Sequence, residues 1–160
     1  MNANQELFDK LIVNLEALVK GYRGLLGVVR AEKDILISAS LDDLNKNNTA
    51  KEKMILELRK LEKERIQVVA NLVQAEGISS VNPSLLELAT RYQGVYGEKL
   101  RNMHSVLELL IKRVKEFNLQ NEALVKSALS NITGAMNAIK DSLDENKTYQ
   151  KKGKIENSVE

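Results

Sequence analysis

The fold is decided by the stretch from Leu100 to Leu143, which reads LRNMHSVLELLIKRVKEFNLQNEALVKSALSNITGAMNAIKDSL. Apolar residues recur in it every three or four positions, with no proline and a single glycine, Gly134. This spacing places the apolar side chains on one face of an α-helix. Read as one helix from about Val95 to Glu145, the segment is about 75 Å long at 1.5 Å per residue.

The helices before it are shorter. The same periodicity predicts a first helix from Gln5 to Ile37 and a second helix from Thr49 to Ala75, the second only about 40 Å long. Because the last helix outruns the second, it leaves apolar surface that its neighbours do not cover. Such surface usually marks a binding site for a partner.

Capping residues give the predicted helix boundaries. Ser40 with Asp43 reads as a capping box that opens a short element, and the polar run at 45–48 ends it. Thr49 with Glu52 reads as a second capping box, which opens helix two.

A loop from Gly77 to Pro83 precedes a short predicted helix from Ser84 to about Tyr92. Asn82 is predicted to cap this helix, with Pro83 at its first position. Gly94 and Gly97 are expected to bend or weaken the chain before the last helix.

Composition favours a helical protein. Apolar residues make up 43% and aromatic residues 4%, with no tryptophan, which indicates a core of leucine, isoleucine and valine. We predict an all-α fold, an elongated antiparallel helical bundle with a long C-terminal helix. We expect one domain, 1–145, followed by a disordered polar tail, 146–160.

Charge and residue usage argue against several functions. The net charge of +2 gives no basic field for nucleic acid, and with no cysteine and one histidine, His104, no metal site or thiol chemistry is expected. No glycine-rich phosphate loop is present, so we predict neither a cofactor nor enzymatic activity. No secretory signal and no membrane-spanning stretch are visible, so we expect a cytoplasmic protein without stable membrane insertion.

The apolar face of the predicted long helix shifts around the helix about midway along it. The apolar positions alternate spacings of three and four, but two spacings of four follow each other here, from Phe117 to Asn121 and from Asn121 to Val125. Such a stutter rotates the apolar face around the helix. Beyond it, Lys126 is the only charged residue between Ala123 and Ala138. Depletion of charge around an apolar stripe is typical of an interface. The alternative, that this half is ordinary core, stays open at this point.

In their order along the chain, these features resemble the FlgN family of flagellar export chaperones. The resemblance spans roughly Leu7 to Leu143 and includes Leu41-Asp42-Asp43-Leu44 and the entry to helix two, Lys51-Glu52-Lys53. Its more specific part is 118–125, NLQNEALV, which is similar to the family's two asparagines three apart followed by an aliphatic pair. Val125 departs from the pattern, since isoleucine is common there.

The resemblance implies a cytoplasmic chaperone that holds the C-terminal helical ends of the two hook–filament junction proteins and presents them to the export gate. It places the binding region on the C-terminal helix, where the apolar pattern had already indicated a partner site. The predicted client-binding residues are Asn118, Asn121, Leu124, Val125, Ala128, Leu129, Ile132, Ala135, Met136 and Ile139.

Two alternatives remain at the level of sequence. Asn118 and Asn121 either set the register of a client or merely tolerate the stutter. The stripe either captures a client or makes the protein a self-associating helical-bundle or coiled-coil adaptor. We expect a monomer or a weak homodimer.

Overall fold

A computed structural model describes residues 3–80 and 82–157, with side chains described through 146. The helices are α1 (Ala3–Ser38), α2 (Leu41–Glu76), α3 (Leu85–Arg91) and α4 (Val95–Asn157), and these described residues form no strand. The all-α prediction with a long C-terminal helix is confirmed. The chain divides into two compact units, 1–121 and 122–160. The predicted tail, 146–160, lies almost wholly outside the residues with described side chains, so its disorder and the boundary at 145 stay predictions.

The first unit packs α1, α2, α3 and the beginning of α4 around one apolar core. Asn47 of α2 donates to the carbonyl oxygen of Val28 in α1, and Asn14 of α1 donates to that of Leu61 in α2, so these helices run antiparallel. The ring of Phe8 lies edge-on to that of Tyr96 at 4.7 Å, so α4 starts beside the start of α1. Asn121 donates to the carbonyl oxygen of Val29, so the part of α4 within the first unit runs parallel to α1. The buried apolar residues are Phe8, Leu11, Ile12, Leu15, Leu18, Leu25, Leu26, Val29, Leu58, Val69, Leu72, Leu85, Leu88, Ala89, Leu100, Leu107, Leu110 and Val114.

Helix α2 is continuous, so the predicted break at 45–48 is wrong. Thr49 does not cap a helix; its hydroxyl donates to the carbonyl oxygen of Asn45 one turn earlier, at 3.0 Å. Ser40 precedes α2 but donates to the Asp43 carboxylate instead of accepting a backbone N–H. Asparagine is only a weak helix former and does not stop a helix whose neighbour supplies a partner. At 36 residues, α2 is about 54 Å long, which matches α1.

The start of α3 also differs from the prediction. Ser84, not Asn82, is the N-cap: its hydroxyl accepts from the backbone N–H of Glu87 at 3.2 Å. The Glu87 carboxylate accepts from the backbone N–H of Ser84 at 3.3 Å, which completes a capping box. This reciprocal pair satisfies two helix-terminal donors, whereas Asn82 offers one acceptor alone. Pro83 therefore lies before the helix.

The three glycines of α1 have different surroundings. A Cβ built on Gly21 would lie 2.7 Å from Cδ2 of Leu58, so the missing side chain lets α2 approach α1 closely. Gly24 faces Met54 at ordinary contact distance, and Gly27 has nothing within 4 Å of its would-be Cβ. Close approach is therefore the role of Gly21, whereas Gly27 has no packing role in the monomer.

An aromatic cluster joins the start of α1 to the α3–α4 turn. Phe8 packs edge-on against Tyr92, with ring centroids 4.9 Å apart. Burial, followed by the nearby Glu76 carboxylate, raises the pKa of Tyr92 to about 12. Burial and Glu62 also raise the pKa of Tyr22.

These shifts predict a loss of stability in alkali. Between pH 10 and 12 the folded state keeps the Tyr92 proton while the unfolded chain releases it, so the free energy of unfolding falls across this window. Denaturant titrations at several pH values check this. We expect the free energy of unfolding of Tyr92→Phe to fall less steeply over this range than that of wild type. The raised pKa of Tyr22 accounts for some of the fall that remains. An equally steep fall in Tyr92→Phe would contradict the assignment.

Candidate functional site

The second unit carries the apolar side chains that the sequence pattern singled out. Val125 is 40% exposed, Leu129 58% and Ile132 55%. Met136 is 64% exposed and Ile139 62%. In the first unit the corresponding frame, from Leu100 to Val114, lies in the core. The five side chains of the second unit are therefore exposed in the described structure, whereas those of the earlier frame are buried.

We call this surface the stripe: Val125, Leu129, Ile132, Met136 and Ile139. Successive members are three or four residues apart within α4, so they lie along one side of the helix. Among the other predicted residues, Ala128 and Ala135 are exposed and Leu124 is half-buried. Short alanine side chains let a second helix approach closely, and the stripe offers that helix aliphatic contacts with little charge nearby.

Asn121 lies inside the first unit. It is 3% exposed, and its side-chain N–H donates to the carbonyl oxygen of Val29 at 2.9 Å. Asn118 is half-buried, and the side-chain oxygens of both asparagines are buried without a hydrogen-bond partner. The structure thus joins Asn121 to α1, and its role in client binding stays a prediction.

Arg30 and Lys33 of α1 form an arrangement that sequence reasoning missed. The guanidinium carbon of Arg30 lies 5.5 Å from the centroid of the Phe117 ring, and Nζ of Lys33 lies 6.0 Å from it. Nζ of Lys33 also donates to the side-chain oxygen of Gln120 at 3.1 Å. Arg30 and Lys33 lie 87 and 84 residues before Phe117 in sequence, so periodicity within single helices gave no signal for this contact.

A groove of about 970 Å³ lies in the first unit, with Leu18 and Leu107 among its apolar lining residues. Its rim mixes acidic and basic side chains, including His104, whose Nδ1 is 3.7 Å from Oε2 of Glu108. The spacing of four places these two side chains one helical turn apart, with His104 half-buried and Glu108 exposed, and the pair supplies no nucleophile. In the described part of the chain, no group of three or more histidine, aspartate or glutamate side chains is placed to hold a metal ion. None of the described helices is long and apolar enough to cross a bilayer.

Comparison with known proteins adds one finding to this geometry. The chain matches the family model FlgN, described as FlgN protein, over residues 1–157. No curated protein and no solved structure matches the chain.

Proposed function

Since the chain belongs to the FlgN family of flagellar export chaperones, we propose that it binds the C-terminal helices of hook–filament junction proteins in the cytoplasm and delivers them to the export gate. The exposed stripe of α4 carries this proposal. Its five members are each at least 40% exposed, and exposed aliphatic surface of this kind usually marks a binding site for a partner. The family match covers this region as well as the bundle.

The mechanism we propose is helix capture. A client helix lays its own apolar face along the stripe, in the manner of other helix-in-groove complexes. Burying about five aliphatic side chains gives a gross stabilisation of roughly 8–15 kcal/mol. The loss of free motion and the ordering of the client helix remove a large share of it. The net affinity then falls in the micromolar to nanomolar range, which holds a client and releases it without ATP.

The composition of the stripe suits more than one client. Met136 is unbranched and polarisable, and its three side-chain torsions let it repack around different neighbours. It is also 64% exposed, so its rotamers are not fixed by the monomer. Exposed uncharged groups such as Ser130 and Asn131 lie near the stripe and offer hydrogen bonds without the desolvation cost of a charge.

Self-association is the second candidate, and the same exposure supports it. Two copies that pair through their stripes would bury the same aliphatic surface, as in a coiled-coil adaptor. The two functions differ in what competes for the stripe. A chaperone exchanges any weak homodimer for a client complex, whereas an adaptor keeps a dimer that a client helix does not disrupt.

Binding of client segments tests the proposal. We expect peptides from the C-terminal ends of hook–filament junction proteins to bind the full chain in calorimetry with micromolar or tighter affinity. Sedimentation at several protein concentrations is run with and without the peptide. A concentration-independent dimer that takes up no peptide would favour the adaptor. A monomer that takes up no peptide would refute both functions.

A further inference from the structure

Two cations of α1 are held on one aromatic ring with no anion between them. The guanidinium carbon of Arg30 and Nζ of Lys33 lie 5.5 and 6.0 Å from the centroid of the Phe117 ring, within the usual range of a cation–π interaction. Within the described residues neither side chain forms an ion pair with a carboxylate. Glu32, the acidic residue between them, is instead paired with Lys51 at 3.0 Å.

This arrangement has a definite electrostatic consequence. Two like charges one helical turn apart repel each other, and the ring and the Gln120 amide only partly compensate them. Lys33 has donors left after its bond to Gln120, and the Arg30 guanidinium presents a planar fork that fits a carboxylate. An anion placed between the two cations would relieve their repulsion and accept hydrogen bonds from both.

We propose that Arg30, Lys33 and Phe117 form a carboxylate-binding site for the client. This rests on the proposed chaperone function and adds a polar determinant to apolar capture. On α4, Phe117 precedes the first stripe residue, Val125, by eight positions in sequence. A helical client ends in a carboxylate, either its terminal group or an acidic side chain of its last turns. Charge-assisted hydrogen bonds to that group fix the register of a helix that aliphatic contacts alone leave free to slide.

Chemically modified peptides test the site. Peptides from the C-terminal ends of hook–filament junction proteins are made with a free terminal carboxylate and as the amide. Each is titrated against the wild-type chain and against the double variant Arg30→Ala, Lys33→Ala. We expect the free acid to bind the double variant about tenfold more weakly than wild type. We expect the amide to bind both proteins equally, if the terminal group is the ligand.

The matched control removes the same two charges elsewhere. Arg59 and Lys63 are exposed on α2 and lie away from Phe117 in the contacts described. The double variant Arg59→Ala, Lys63→Ala keeps the net charge equal to that of the test variant. We expect it to bind every peptide as wild type does. The difference between acid and amide should also shrink when salt is raised from about 50 mM to about 500 mM.

The possible results of these titrations distinguish failure of the carboxylate site from failure of the chaperone function. One result is that the free acid and the amide bind wild type with equal affinity, while replacing an Asp or Glu of the client by Asn or Gln removes the difference between wild type and the double variant. In that case the ligand is an acidic side chain of the client, and the carboxylate site is supported. If the double variant leaves all peptides unaffected, or weakens acid, amide and charge-neutralised peptides alike, the carboxylate site is refuted while the chaperone function survives. If no peptide binds wild type at all, the chaperone function itself is refuted, and the site goes with it.

Discussion

We expect Ile132→Asp to abolish the binding of client segments and to leave the folded chain as stable as before. Ile132 is 55% exposed at the middle of the stripe, so a carboxylate there remains solvated in the free protein. In the complex the same carboxylate would be buried against an apolar helix without a partner, at a cost of several kcal/mol. We expect at least a hundredfold loss of affinity in calorimetry, which corresponds to about 2.7 kcal/mol. The melting temperature should stay within about 2 °C of wild type.

Ile66 provides the matched control. It is an isoleucine of α2 that is 56% exposed, so Ile66→Asp makes the same chemical change at the same exposure but outside the stripe. We expect it to change neither client affinity nor melting temperature. A fall in stability of Ile132→Asp comparable to that of a core substitution would place Ile132 in a folded contact and remove the client surface. Equal loss of affinity in both variants would show that binding does not use the stripe.

The stripe was predictable from sequence because it depends on helix period alone. Leu129, Ile132 and Met136 recur every three or four residues, and no tertiary contact was needed to place them on one side of α4. The apolar spacing of α4 from Leu100 to Val114 follows from the helix period as well. The burial of these residues depends on neighbours, but those neighbours are amphipathic helices with equally regular patterns.

Contacts made by polar side chains between helices were not predictable in this way. Asn14 donates to the carbonyl oxygen of Leu61 at 2.9 Å, and Asn121 donates to that of Val29 at the same distance. Each joins residues far apart in sequence, and an asparagine in a helical pattern reads only as a weak helix former. The false break at 45–48 has the same origin, since the contact of Asn47 with Val28 is tertiary. The cations on Phe117 were missed for this reason too.

The second large effect concerns Gly97, where alanine should destabilise the chain although alanine is the better helix former. Gly97 lies in the first turn of α4 and is buried. A Cβ there would overlap the carbonyl oxygen of Tyr92 and lie 2.7 Å from that of Ala89. Both are backbone atoms at the end of α3, and the Tyr92 N–H is itself bonded to the Leu88 carbonyl, so relief requires moving α3 as a whole.

We therefore expect Gly97→Ala to lower the free energy of unfolding by about 3 kcal/mol and the melting temperature by roughly 6–12 °C. Gly27→Ala is the control, because it makes the same substitution in a helix with nothing within 4 Å of the new methyl group. There the helix propensity of alanine acts alone and should stabilise the chain by about 1 kcal/mol. Thermal and urea unfolding of the two variants should give shifts of opposite sign. A stabilising Gly97→Ala would mean that α3 and the start of α4 do not pack as closely as these contacts require.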